Sequence, residues 1–542
     1  MISTVCHLVR SKNGNFGIMT ALLAVPLTLA AGMALDVTQL QLRAIHLQQS
    51  IDAAALALAA QPDLSDADAK TFAENMIKAN FKELVLKVEI QRGTNQTTRV
   101  VANSALPTTF MQIVGVKEMN LVREATAGIA ETKYEVALAL DTTGSMEGGK
   151  LSAMKAAATT LIDELDAQVT KPENLKFALV PFSTFVNVGP SYGPQVVPNV
   201  SFSAGTSWLD TYGASPISQS DFGPNVSRFM LYTHLGHSWK GCVETRPTYG
   251  GKNYGVLDTA PDPNIPATLF VPAFAQDEPP FAWNGSSWDL HGNDYISDGG
   301  AAIRTHTWTE RRVRYGVPVD NTTNQVTQWK KGFPTWTKPT QDNSSTTLYS
   351  NYKAHKGPNF LCETQPLMPL TSDYVKAKAA VDSLVAAGNT NILEGVAWGW
   401  RVLSSGLPFA EGGPESDPNL TKILVLLTDG TNFFGVLNNK LNSSYSSFGY
   451  LVDGRLDGMT SGSEATATPK MNAMTLAACT NAKSTGVVIY TILLEENNAT
   501  TSTLLQQCAS KPEYFINVPD RSGLQQAFAQ IKTRLLSTRL TN

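Results

Sequence analysis

The sequence predicts an α/β protein: an N-terminal transmembrane helix continuing into a long helix with a small α+β unit, then a doubly wound, mainly parallel sheet interrupted by a large β or irregular, tryptophan-rich insertion. Three observations carry this. Phe16 to Leu35, "FGIMTALLAVPLTLAAGMAL", holds no charge for 20 residues, enough helix to cross a hydrocarbon core of about 30 Å. Apolar β-type runs alternate with helical runs over 134–188 and again over 369–537, the pattern of βαβ units whose sheet is covered on both faces. Between them, 189–368 is dense in Gly, Pro, Asn, Ser and Thr and holds Trp208, Trp239, Trp283, Trp288, Trp308, Trp329 and Trp336, seven of the nine tryptophans. A connection that long without structure is improbable in a compact domain, so a folded insertion is expected.

At 542 residues the chain exceeds one ordinary core. Its net charge of -4, with both signs mixed throughout, offers no basic patch for neutralising phosphates and excludes a nucleic-acid partner.

The elements follow in order. Residues 1–15 carry Arg10 and Lys12, and the first charge beyond the apolar run is Asp36. The span, 16–36, is therefore single-pass with a cytoplasmic N-terminus and the bulk of the chain outside. A cleaved signal peptide is the competing reading, because "AAGMA" offers small residues, although the apolar run exceeds the usual signal core of roughly 7 to 15 residues. Over 37–131, Val37, Leu40, Ala44, Leu47, Ile51, Ala54 and Leu58 recur in steps of three and four. That stripe extends one helix, and it either meets a partner helix or packs on its own domain. Pro62 breaks the helix, and Ser65 or Asp66 caps the next one. "LVLKVEIQRG" and "TTRVVANSAL" form a hairpin around "GTNQ", "PTTFMQIVG" a short helix, and "MNLVREATAGIAE" a strand.

Residues 132–188 begin the large sheet with strand "YEVALAL", a helix over "SAMKAAATTLIDELDAQV" and strand "LKFALVPFS". Residues 369–542 complete it: two helices, the buried strand "KILVLLTDG", a helix, "GVVIYTILL", a helix, "EYFINV" and a last helix. The insertion, 189–368, is expected as a β or irregular cap. Of five cysteines, Cys6 lies on the cytoplasmic side, and Cys242, Cys362, Cys479 and Cys508 lie beyond the span, where disulfides form. Three pairings are possible. Pairing Cys242 with Cys362 and Cys479 with Cys508 is favoured, because each then closes within one region.

Ligands of such sheets bind beyond the carboxyl ends of the strands. In "DTTGSM", Asp141, Thr143 and Ser145 are spaced i, i+2, i+4 in the turn after the first strand, so three oxygens can face one point. Thr390 precedes a helix and Asp429 follows a buried strand, both on the same sheet edge. Five oxygens from three loops suit a hard divalent cation, most simply Mg²⁺, with Mn²⁺ or Ca²⁺ as alternatives. A cation between the carboxylates also reverses their repulsion. The plain alternative is that Ser145 and Thr390 are helix caps and Asp429 a turn residue.

The strand ending in DxTxS, the later threonine before a helix and the strand ending in TDG resemble the von Willebrand factor A domain and its metal-ion-dependent adhesion site, over 134–188 and 369–537. The resemblance implies that Thr143 and Ser145 coordinate directly, Thr390 in some states, and Asp141 and Asp429 directly or through water, with the sixth position left for an acidic group of a protein ligand. The family's commonest loop has serine where this chain has Thr143, which keeps the hydroxyl but restricts χ1.

The N-terminal stretch through "DAAALALA", together with "WKGCVETRP" and "DTTGSM", resembles TadG-like proteins of Flp (Tad) pilus assembly. That implies a non-enzymatic component of the bacterial inner membrane, its body periplasmic, meeting other assembly proteins through the N-terminal helix. Pilin-type processing departs from the Flp pattern, since Met19 stands where a glutamate is expected five residues after Gly14. A surface adhesin binding host protein or polysaccharide, with Trp288 and Trp308 stacking on sugars, is the alternative. For catalysis, no GxSxG, Walker A, HExxH or dinucleotide fingerprint is present. His234, His237, His291, His306 and His355 read as structural or surface residues, and Asp289, Asp294 and Asp298 match no EF-hand spacing.

Overall fold

The computed structural model describes residues 15–59, 61, 64–82, 85–93, 97–128, 132–169, 171–194, 196–197, 201–202, 205–224, 226–277, 293, 295–297, 307–319, 338–341 and 355–537. The chain forms two compact units, Met1–Glu131 and Thr132–Asn542. Trp283, Trp288, Trp329, Trp336, His291, His306, Asp289, Asp294, Asp298, Cys6 and Pro62 lie outside the described residues.

The first unit is built on α1 (Asn15–Ala59), a helix of 45 residues. It contains the one stretch, among the described residues, long and apolar enough to cross a membrane, and Leu22, Leu23, Val25, Leu27 and Leu35 face outward from it. Its second half behaves differently. Ala44, Leu47, Ile51, Ala54 and Leu58 are buried against Ala69, Ala73 and Ile77 of α2 (Asp66–Asn80) and against Val88, Val100, Ala102 and Leu121 of a sheet. The stripe therefore packs on its own domain, the second of the two readings the periodicity allowed. Ser65 caps α2, its hydroxyl accepting from Asp68 N at 3.2 Å. The sheet is the antiparallel meander β1 (Val85–Arg92), β2 (Thr97–Pro107) and β3 (Glu118–Gly128), one face covered by α1 and α2 in the strict alternation visible along β2.

The second unit holds the large sheet. Its parallel strands are β4 (Lys133–Asp141), β5 (Leu175–Phe182), β9 (Leu420–Thr428), β10 (Val488–Leu494) and β11 (Phe515–Val518). Two-residue strands β6 (Val186–Asn187) and β7 (Cys242–Val243) extend it antiparallel, giving the order β11-β10-β9-β4-β5-β6-β7, and β8 (Met368–Thr371) pairs antiparallel with β5. Side chains alternate between two cores. Val136, Leu138 and Leu140 meet helices α3 (Gly149–Asp166), α7 (Tyr374–Asp382) and α11 (Leu524–Ser537). Ala137 and Ala139 face α8 (Ile392–Leu403), α9 (Glu464–Ser484) and α10 (Ala499–Cys508).

Every residue of α8 is buried, including Glu394 and Arg401. Gly395 and Gly399, one turn apart, let it sit on the sheet: a methyl group on Gly395 would come within 2.6 Å of the Phe182 ring, and one on Gly399 would strike Leu424. Its other side is roofed by the insertion, so that Trp208, Phe222, Phe270 and Phe274 share one core with Val180, Phe182 and Trp398. The described part of 189–368 is mostly irregular, with two-residue strands and the short helices α4 (Pro216–Phe222), α5 (Arg228–Leu235) and α6 (Trp308–Arg314). These helices are a turn or two long, too short to register as an apolar period in the sequence.

The disulfides are Cys242–Cys362 and Cys479–Cys508, with Cα atoms 5.8 and 5.1 Å apart. A second segment joins the roof, 430–463, which follows β9 and supplies buried Tyr445 and Tyr450. A charge cluster locks the two together. Asp221 meets Arg228, Arg311 and Arg455; Glu244 takes Arg228 and Arg455, each at 2.8 Å; and Asp453 takes Arg311 at 2.6 Å.

Candidate metal centre

Taken in order of appearance, the six strands β4, β5, β8, β9, β10 and β11 lie third-second-first-fourth-fifth-sixth. The chain direction across the sheet reverses between β4 and β9, which opens a crevice at their carboxyl ends. The register pairs Leu427 with Leu140, so Thr428 and Asp429 arrive beside Asp141.

Asp141 is fully buried. Its Oδ1 accepts from Thr143 N at 2.8 Å, folding the turn, and its Oδ2 accepts from Thr428 Oγ1 at 2.6 Å. Thr143 is extended, and Gly144–Met146 form a 3₁₀ turn ahead of α3, so Ser145 is not the cap of that helix. Its hydroxyl lies 3.0 Å from Thr143 Oγ1 and donates to Asp429 Oδ1 at 2.6 Å. Thr390 does not cap α8 either, because the capping position is Asn391.

The third loop is tied in through its backbone. Gly144 N donates to Gly388 O at 3.0 Å, Ala387 N to Thr142 O at 2.8 Å, and Phe433 N to Thr390 O at 2.9 Å. Asn432 Oδ1 accepts from Ile392 N at 2.8 Å, satisfying a donor of the first turn of α8. Gly388, at φ +82°, takes a backbone conformation that side chains disfavour, and a Cβ there would come within 2.8 Å of Thr184 Oγ1. A methyl on Gly430 would meet Thr390 Oγ1 at 3.5 Å. Asp141, Thr143, Ser145 and Asp429 thus form one hydrogen-bonded cluster, with Thr390 on the adjoining loop.

Burial first, and the charge of Asp429 second, push the Asp141 carboxyl up to about 7, against hydrogen bonds from Thr428 and Thr143. Lys150, from the first turn of α3, places its ammonium 2.7 Å from Asp429 Oδ2. Lys150 offsets the charge of Asp429, and a cation bound here would favour the ionised form of Asp141. Adjacent ligands of an octahedral ion with bonds of about 2.0 to 2.1 Å are about 3 Å apart, and the Thr143–Ser145 separation of 3.0 Å suits that shell. Among the described residues no three His, Cys, Asp or Glu gather as a metal-binding group. A cation here would be held by hydroxyls and two carboxylates, a hard-oxygen set suited to Mg²⁺.

Sequence reasoning missed Lys150, Thr428 and Asn432. Thr428 was legible as the hydroxyl before Asp429; Lys150 was not, since nothing local shows that α3 directs it at a carboxylate 279 positions away. Trp308, considered for sugar stacking, is half-buried against Gly223, with the Arg312 guanidinium 4.9 Å from its ring centroid. His237 bonds Gln341 at 2.8 Å, away from the cluster.

No family model and no curated protein matches the sequence. Among solved structures, the chain is similar to the vWF domain of the type V pili tip protein Mfa5 from Porphyromonas gingivalis, at 9% identity and a TM-score of 0.33, covering 76% of this chain and 97% of that one. It is also similar to the PilB minor pilin from Streptococcus sanguinis, at 10% identity and a TM-score of 0.32, covering 83% and 78%. A third is the pilus adhesin SpaC from Lactobacillus rhamnosus GG, at 9% identity and a TM-score of 0.31, covering 83% of this chain and 34% of that one. The chain spans about a third of the length of SpaC.

Proposed function

We propose that this chain is a non-enzymatic, membrane-anchored protein of the bacterial inner membrane that presents a divalent-cation-dependent protein-binding site in the periplasm, in Flp (Tad) pilus assembly. The observation that carries the reading is the convergence of Asp141, Thr143, Ser145 and Asp429 at the carboxyl edge of the sheet, with neighbouring oxygens 2.6 to 3.0 Å apart. The apolar first half of α1 and the two disulfides support an anchored body in an oxidising compartment.

In this reading Thr143 and Ser145 ligate Mg²⁺ directly, Asp141 and Asp429 balance its charge, and Thr390 closes the set. The remaining position takes an acidic side chain of the partner protein. The cation would supply a Lewis-acidic contact for that carboxylate; the chain's residues would hold the ion, with Ser145 the exposed member of the set. Asp141→Ala is the test. It should abolish Mg²⁺ binding in calorimetry and pilus-dependent adhesion while the protein accumulates normally in the membrane. Normal adhesion by that variant refutes the mechanism, and failure to co-purify with secretion-machine components refutes the pathway.

A further inference from the structure

The β2–β3 connection, 108–117, has a tip "FMQIVGV" without a charge. Phe110, Ile113, Val114 and Val116 are exposed, by 37 to 66%. Four aliphatic and aromatic side chains on one short turn are an unusual load for a water-facing loop.

Where the turn sits explains the load. Its base is tied to α1 at the end of the apolar run. The buried carboxylate of Asp36 accepts from Thr109 N at 3.1 Å and from Phe110 N and Met111 N at 2.8 Å each. One turn earlier, the Phe110 ring packs on Gly32, where a methyl group would stand 2.6 Å from it. Gly32 lies about 6 Å along the helix axis from Asp36 on the membrane side, at 1.5 Å per residue. Phe110 is therefore level with the last turn of the uncharged run, and Val25, two turns before Gly32 on the same helix face, is exposed like the tip.

We infer that this tip is a second membrane contact: Phe110, Ile113, Val114 and Val116 enter the outer leaflet of the anchoring membrane beside α1, at the headgroup–acyl boundary where apolar residues settle about 5 to 10 Å deep. The inference rests on α1 being a retained anchor. Its consequence is orientational. A single helix rotates and tilts freely, whereas a helix and a loop pinned together by Asp36 fix which side of the first unit faces the bilayer.

The test uses the full chain with Cys6→Ser, so that Ile113→Cys takes the one free thiol for a nitroxide label, in vesicles of phosphatidylethanolamine and phosphatidylglycerol. Val122→Cys, on the exposed side of β3, is the aqueous reference. Protein should float with the vesicles, and the label at 113 should collide with oxygen in preference to a water-soluble nickel complex several-fold more than the label at 122. Flotation with equal ratios at both positions overturns the loop inference and leaves the anchor standing. A label at 113 shielded from both quenchers shows a protein contact instead and also overturns it. Protein that does not float defeats the anchor and the loop together. Because 113 is exposed and bonded to nothing through its side chain, the substitution leaves the fold intact; Val114→Cys repeats the measurement.

Discussion

Asp221→Asn is the most direct probe of the roof over α8. The carboxylate is buried among Arg228, Arg311 and Arg455, and with Glu244 and Asp453 the cluster balances three charges of each sign. Burial opposes its ionisation, but Arg455, Arg228 and Arg311 outweigh burial and hold its carboxyl at about 2, below the ordinary 3.8. Substitution by asparagine leaves one buried positive charge unmatched, which costs about 3 to 5 kcal/mol. A unit of about 400 residues has an unfolding entropy near 0.9 kcal/mol/K, so the melting temperature at pH 7 should fall by about 3 to 6 °C. The pH dependence has a definite sign. A depressed carboxyl stabilises fully above its unfolded value, so the wild type should lose about 2 kcal/mol as pH falls from about 4 through about 2. The variant lacks that step. Melting curves followed by circular dichroism across this range make the comparison, and a variant melting within 1 °C of wild type at pH 7 (about 1 kcal/mol or less) would refute the account of the roof.

Lys150→Met removes the ammonium 2.7 Å from Asp429. One charge at this range is worth about 1 to 4 kcal/mol, so Mg²⁺ affinity measured calorimetrically should rise by about fivefold or more; unchanged affinity would mean that Lys150 does not compete for the site. Gly395→Ala forces a methyl into the Phe182 ring and should cost about 1 to 3 kcal/mol in urea unfolding while weakening Mg²⁺ binding, because α8 and the Thr390 loop move together. Replacing Cys242 and Cys362 by alanine opens a crosslink spanning 120 residues and should cost about 4 to 5 kcal/mol on the chain-entropy account. The Cys479–Cys508 pair spans 29 and should cost about 3 to 4, so denaturation midpoints should rank the two.

By itself the sequence determined what local pattern can determine. Twenty uncharged residues make a helix that suits lipid; alternating apolar runs make a parallel sheet; and DTTGSM must turn where its strand ends, because Asp141 bonds the backbone two residues on. Each is fixed within one element. The tertiary structure decided the rest. Register set Asp429 beside Asp141 across 288 positions of chain, and the direction of α3 brought Lys150 onto it. Packing turned the stripe of α1 inward, and the roof of short helices buried α8 on both sides. Charges scattered from Asp221 to Arg455 share no local pattern in sequence and became a closed cluster only once two distant segments met. Such long-range choices depend on which surfaces remain to be covered after the local elements form, and no single stretch of chain encodes that remainder.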